Sequence, residues 1–134
     1  MSKLSAAQAT DFLSQAFPHT TIQVEELQSG HALITLQAGP THLRPGGYIS
    51  GPTQMAMADT AAYMVVMSML GVTPMAVTSN LNIHFLRPCV GEAVQAVGTL
   101  LRIGKRSAVV RVDVRALGSE KQSSEVTVTY ALPE

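Results

Sequence analysis

The spacing of apolar residues changes along this chain, and the changes mark out its elements. Between Ser5 and Phe17 the apolar positions are Ala6, Ala9, Phe12, Leu13 and Phe17, the spacing of one helix face. A serine opens the segment and Pro18 closes it. Thr21–Leu27 and His31–Gln37 read as two strands about Ser29-Gly30, which predicts a hairpin. The stretch from Gly39 to Pro52 holds four Gly and three Pro in fourteen residues, so it is a loop with special backbone positions. Pro52 suits the first turn of a helix, where its missing N–H costs nothing. Met, Ala, Val and Leu then fill most positions to Leu70, and Gly71 supplies a stop. A helix apolar on nearly every face should be wrapped on most sides. After Pro74 the period becomes two. Met75–Leu86, Ala93–Ile103, Ser107–Leu117 and Ser123–Leu132 read as strands, the last three separated by Gly104 and Gly118. Simple alternation in the first of them puts Val77, Ser79, Leu81, Ile83 and Phe85 on one face. The order is helix, two strands, long buried helix, four strands. An antiparallel sheet curled around a central helix satisfies it, an α+β plan in one domain over residues 1–134.

Composition narrows the function. The formal net charge is zero and no basic stripe interleaved with aromatics exists, which argues against nucleic acid as a partner. The single cysteine, Cys89, rules out an intrachain disulfide and fits a reducing, cytoplasmic compartment. The four histidines lack metal-ligand spacing, so no metal is expected. Residues 1–17 have no apolar core of the signal-peptide kind. Met55–Val72 is apolar enough to suggest a membrane span. Its marginal length, with Asp59, Thr60 and Ser68 inside it, favours a core helix and no membrane. Aromatics are only 4% and Trp is absent, while six of the seven Met fall between Met55 and Met75; this predicts an adaptable apolar lining.

One residue stands out chemically. Histidine aside, Asp59 is the only charged side chain between Arg44 and Arg87. Burying an ionised carboxylate costs several kcal/mol unless it is paired or hydrogen-bonded. With no cation within eleven residues on either side, Asp59 is either raised in pKa or held by hydroxyl and amide donors. Both conditions suit a general base or nucleophile. The plainer reading is a structural acid satisfied by its neighbours.

The run GGYISGPTQMAMADTAAY, then TSNLNIHFLRP, then GKRSAVVRVDV, resembles the hotdog-fold acyl-CoA thioesterases of the phenylacetate-pathway, PaaI-like type. The resemblance spans about residues 43–130, with the first helix outside it. The family signature is His-Gly-Gly, then an acid eight residues after the first glycine. Laid on this chain, the acid is Asp59 and the first glycine Gly51. Ser50 stands where the family has histidine, Pro52 where it has the second glycine, and Arg44 where it often has asparagine. A Ser or Thr on the next strand corresponds to Thr78. Gly104-Lys105-Arg106 falls where the family places residues near the phosphates of coenzyme A, and Arg87 precedes a family-like proline. The resemblance implies a hotdog fold, an acyl-CoA substrate whose coenzyme A moiety belongs to the substrate, no required cofactor, and a homodimer that pairs into a dimer of dimers.

Thioester hydrolysis needs donors for a developing oxyanion and a base or nucleophile nearby. Gly51, at the amino end of the long helix, has an N–H without a helical acceptor and lets a carbonyl approach the backbone. Asp59 is eight residues on, about 12 Å along the axis. The two cannot act on one carbonyl, so a working site takes Gly51 from one subunit and Asp59 from another, as the resemblance also implies. Tyr63, one turn beyond Asp59, and Thr78 are candidate donors to the carboxylate or a water. Simple alternation disfavours Thr78, because it places that residue opposite the apolar face of its strand. Ser50 is either a donor or the helix cap. Lys105 and Arg106 either bind phosphate or form a solvated hairpin tip, and Arg87 either contacts coenzyme A or makes a surface pair. The leading expectation is an acyl-CoA thioesterase, a thioester hydrolase. The alternatives are an acyl-CoA-binding hotdog protein without catalysis, suggested by the replaced histidine and asparagine, and a hotdog hydratase or dehydratase, for which His42 lies too far before the helix.

Overall fold

The computed structural model describes every residue from Met1 to Glu134. The first helix, α1 (Ala6–Ala16), begins at a capping box. Ser5 Oγ accepts from Gln8 N–H at 3.1 Å while Gln8 Oε1 accepts from Ser5 N–H at 2.9 Å. Strands β1 (Gln23–Gln28) and β2 (His31–Gln37) follow as the expected hairpin, with Gly30 at φ 78° in the turn.

The long helix α2 (Gly51–Leu70) occupies the run read as a core helix. Ser50 caps it, Pro52 lies in its first turn, and Gly71 ends it at φ 82°. Twenty residues make it about 30 Å long. Eleven of those twenty are buried. The uncovered positions are not scattered. Pro52, Met55, Ala56, Asp59, Thr60 and Tyr63 are exposed or half-buried and repeat at helical spacing, so one stripe of α2 stays open. Asp59 lies on that stripe. No helix is long and apolar enough to cross a membrane.

Strands β3 (Val77–Phe85), β4 (Ala93–Ile103), β5 (Ser107–Ala116) and β6 (Ser124–Ala131) complete one antiparallel sheet in the order β1-β2-β4-β5-β6-β3. Its concave face presents Ala32, Ile34, Val94, Ala96, Val110, Val112, Val126 and Val128 to α2, all fully buried. The helix rests closely on β4 at Gly98. A Cβ there would lie 2.9 Å from Val65 Cγ2 and 3.3 Å from the Ala61 carbonyl oxygen, so any larger residue would push the helix away.

Strand β3 departs from the predicted alternation. Thr78 pairs with Tyr130, but the next partner pair is Asn80 with Thr129, so Ser79 is an extra residue in a bulge. The bulge shifts the period by one. Thr78 therefore shares the inner face with Leu81, Ile83 and Phe85, while Ser79 does not. β3 is also an edge strand, and it leaves Val77 and Phe85 more than half exposed.

Candidate active site

The inner-face position of Thr78 brings it to Asp59, where its hydroxyl donates to Oδ1. A second hydroxyl reaches the same oxygen. Tyr130, on the neighbouring strand and only 4% exposed, donates to Asp59 Oδ1 at 2.9 Å and lies 3.0 Å from the Asp59 carbonyl oxygen. No cation takes part: the protein's two ion pairs, Arg111 with Glu125 and Arg115 with Asp113, lie elsewhere. Of the two ways to accommodate a lone acid, this site uses hydroxyl donors. Oδ2 accepts no hydrogen bond from the protein and is not sealed from solvent. Asp59 is half-buried, at the wall of a cavity of about 470 Å³ that Leu13, Phe17, Ile22, Tyr63 and Val77 also line. The first helix, outside the family-like stretch, thus supplies part of this wall.

Tyr63 does not reach the carboxylate. Its hydroxyl donates to the Pro74 carbonyl oxygen at 3.1 Å, and its ring stacks on Tyr130 with centroids 5.6 Å apart and planes at 9°. Phe12 meets Tyr63 edge-on at 6.1 Å. Burial raises the pKa of Tyr63. Burial also raises that of Tyr130, and the Asp59 carboxylate adds to the effect, so both phenols remain protonated donors at neutral pH. Sequence reasoning missed Tyr130. Its signal is faint but present: in VTVTYAL the alternation puts a phenol on the same face as Val126 and Val128.

The amino end of α2 is built differently. Gly51 N–H has no acceptor inside the helix, and none of the loop or cap hydrogen bonds uses it. Ser50 acts as the cap: its Oγ accepts from Thr53 N–H at 3.2 Å and pairs with the Thr53 hydroxyl at 2.8 Å. Gly51 opens onto a separate cavity of about 700 Å³ lined also by Arg44, Tyr48, Gln54, Phe85 and Arg87. A Cβ on Gly51 would lie 3.2 Å from Phe85 Cζ. The Asp59 and Gly51 cavities share no lining residue. The structure therefore brings Asp59 and Thr78 together and keeps Gly51 apart from both within one chain.

The basic residues divide between the two ends of the sheet. Ser107 and Val77 both pair with Ala131, so the Gly104-Lys105-Arg106 turn lies at the sheet end that carries Thr78 and Tyr130. Lys105 and Arg106 are exposed and unpaired. Arg87 follows the far end of β3, beside Gly51, where it donates to the Gln122 carbonyl oxygen.

Known proteins show which family the chain resembles. The sequence model of the thioesterase superfamily matches residues 46–122, more than half of the chain. No curated protein sequence matches. Among solved structures, a presumed thioesterase from Silicibacter sp. TM1040 is 29% identical, with a TM-score of 0.90 over 100% of this chain and 95% of that one. The PaaI protein of the phenylacetic acid degradation operon of E. coli is 20% identical, with a TM-score of 0.81 over 96% and 91%. A hypothetical thioesterase of Streptococcus pneumoniae TIGR4, solved with coenzyme A, is 22% identical, with a TM-score of 0.79 over 92% and 94%. The last two establish likeness of fold. With a long helix wrapped by six antiparallel strands and the family's sequence pattern across the helix and sheet, this chain belongs to the thioesterase superfamily.

Proposed function

We propose that the protein hydrolyses acyl-CoA thioesters to a free acid and coenzyme A, at sites shared between two subunits. The observation that carries this reading is Asp59: in a thioesterase-superfamily chain, one carboxylate oxygen is held by two hydroxyls and the other is left unbonded at a cavity wall. Oδ2 either takes a proton from water as that water attacks the thioester carbon, or attacks the carbon itself to give a mixed anhydride that water then opens. In both routes the carbonyl oxygen gains negative charge, and the Gly51 N–H of a second subunit at the positive end of α2 receives it. Collapse expels the thiolate of coenzyme A. The edge position of β3 supports the shared site. Antiparallel pairing of two β3 edges about a two-fold axis carries the Val77 end of one strand, with its Asp59, to the Phe85 end of the other, with its Gly51. Lys105 and Arg106, at the sheet end that carries Thr78 and Tyr130, supply charge for the phosphates. The coenzyme A complex of the pneumococcal fold neighbour supports a substrate of this class.

A second reading has one feature in its favour. Arg44, Ser50 and Pro52 depart from the family pattern at the oxyanion end, which suits a protein that binds acyl-CoA without cleaving it. Incubation of the purified protein with a panel of acyl-CoAs and a thiol reagent decides between them. Hydrolysis predicts thiol release with turnover. Tight binding without thiol release would establish the binding protein instead, and loss of an enoyl-CoA without thiol release would establish a hydratase. Single turnover in ¹⁸O-water that left label in the Asp59 carboxylate would establish the nucleophilic route, with water opening the anhydride at the aspartyl carbon.

A further inference from the structure

We propose that Tyr130 is a positioning residue of this reaction: with Thr78 it holds Oδ1 of Asp59, so that Oδ2 alone is presented to the substrate. The inference rests on the hydrolytic reading above. The two oxygens of a free carboxylate are equivalent, and a short Asp side chain on a helix can turn about its last bond. Here two donors from two different strands converge on one oxygen, Thr78 from β3 and Tyr130 from β6, while the other oxygen has none. The Tyr130 hydroxyl also reaches the Asp59 main-chain oxygen at 3.0 Å, which ties side chain and helix backbone to one point. The ring is held in turn by its stack on Tyr63, whose own hydroxyl is engaged with Pro74. The only titratable groups at the wall of the Asp59 cavity are Asp59, Tyr63 and Tyr130, and no cation lines it. The two hydroxyls are therefore the side-chain partners that hold the carboxylate in place of a cation.

The test is Tyr130→Phe, which keeps the ring and its stack and removes one donor to Oδ1. With Oδ1 held by Thr78 alone, kcat should fall about tenfold with KM little changed. Infrared spectra of the protein labelled with carboxyl-carbon-13 aspartate, with Asp59 assigned among the three aspartates by its loss in Asp59→Asn, report how unlike its two oxygens are. The separation of its carboxylate bands should narrow in Tyr130→Phe. Tyr63→Phe, which leaves both donors in place, should keep that separation. Should Tyr130→Phe not fold, 3-fluorotyrosine in the parent chain provides a stronger donor at the same position and should widen it. Unchanged bands under either change, in a protein that still hydrolyses thioesters, would overturn the role of Tyr130 and leave the hydrolase intact. Changed bands in a protein that releases no thiol would support the Tyr130 clamp on Asp59 and overturn the hydrolase.

Discussion

Two places on one helix, eight residues apart, are finished to different degrees. Around Asp59 the hydrogen bonding is closed on one side: Thr78 and Tyr130 fix Oδ1, and an aromatic stack fixes Tyr130. Around Gly51 one donor lacks an acceptor: its N–H at the start of α2 opens onto a cavity whose wall also carries Arg44 and Arg87. One end offers a held acid and the other an unspent amide donor. Acyl transfer needs both at one carbonyl, and within a chain they stand about 12 Å apart along the axis. On the proposed hydrolytic reading, the contrast is that between two halves of a site that a second subunit would complete. It also explains why the apolar edge strand matters, since β3 touches Asp59 through Thr78 at one end and approaches Gly51 through Phe85 at the other.

The largest effect should come from the finished half. Asp59→Asn keeps the shape of the side chain and removes its basicity, and kcat should fall about 100-fold or more. Retained binding of a non-hydrolysable acyl-CoA analogue, measured by calorimetry, would show that the fold and pocket survive. Near-normal turnover by a folded variant would take Asp59 out of the chemistry.

The basic turn beside the finished half should matter less, and mostly to binding. Replacing Lys105 and Arg106 by Ala should raise KM about fivefold, in the range of exposed ion pairs, with kcat nearly unchanged. The difference should shrink as salt rises. Equal KM values for a full acyl-CoA and a truncated acyl-pantetheine in the parent protein would argue against phosphate contact.

At the unfinished half, Ser50 distinguishes structure from chemistry. As the α2 cap, Ser50→Ala should cost about 1 kcal/mol of stability with little loss of rate. A drop in rate at unchanged stability would move its hydroxyl from the cap into the reaction.

The smallest expected effect is on alkaline stability. Tyr130 is an acid whose proton is held more tightly when folded, so its contribution is complete below its ordinary value of 10.0. It is lost as pH rises beyond that toward the higher folded value. The urea midpoint of the parent should fall above about pH 10, and that of Tyr130→Phe slightly less. Parallel declines would show that the Tyr130 phenol contributes nothing to the alkaline loss of stability.

The finished half was the harder of the two to read from sequence. The elements themselves were plain, because the period of apolar positions changes at Pro18, Pro52, Gly71 and Pro74. Gly51 was singled out by the family signature together with its place at the helix start, and Asp59 by its isolation among apolar neighbours. Thr78 was assigned to the wrong face because one bulged residue, Ser79, reverses the parity of β3, and a bulge leaves no periodic trace. Tyr63 was a reasonable candidate at helical spacing, but its phenol extends past Asp59 to Pro74. Tyr130 lies 71 residues from Asp59 and meets it only through strand pairing, which local pattern does not encode.

The shared site is tested most directly by mixing two inactive proteins. Gly51→Pro removes the amide donor, and Asp59→Asn removes the acid. Ser50, at φ −69° and ψ 157°, already has the conformation that precedes proline. Each variant is first shown to be a folded oligomer, since the new proline would directly precede Pro52. Each homodimer should then be nearly inactive. After co-denaturation and refolding, about half the dimers are mixed; in each of these one site carries both defects and the other neither, so about a quarter of parental activity should return. Two well-folded inactive variants that regain nothing on mixing would contradict a site built from Gly51 of one subunit and Asp59 of another.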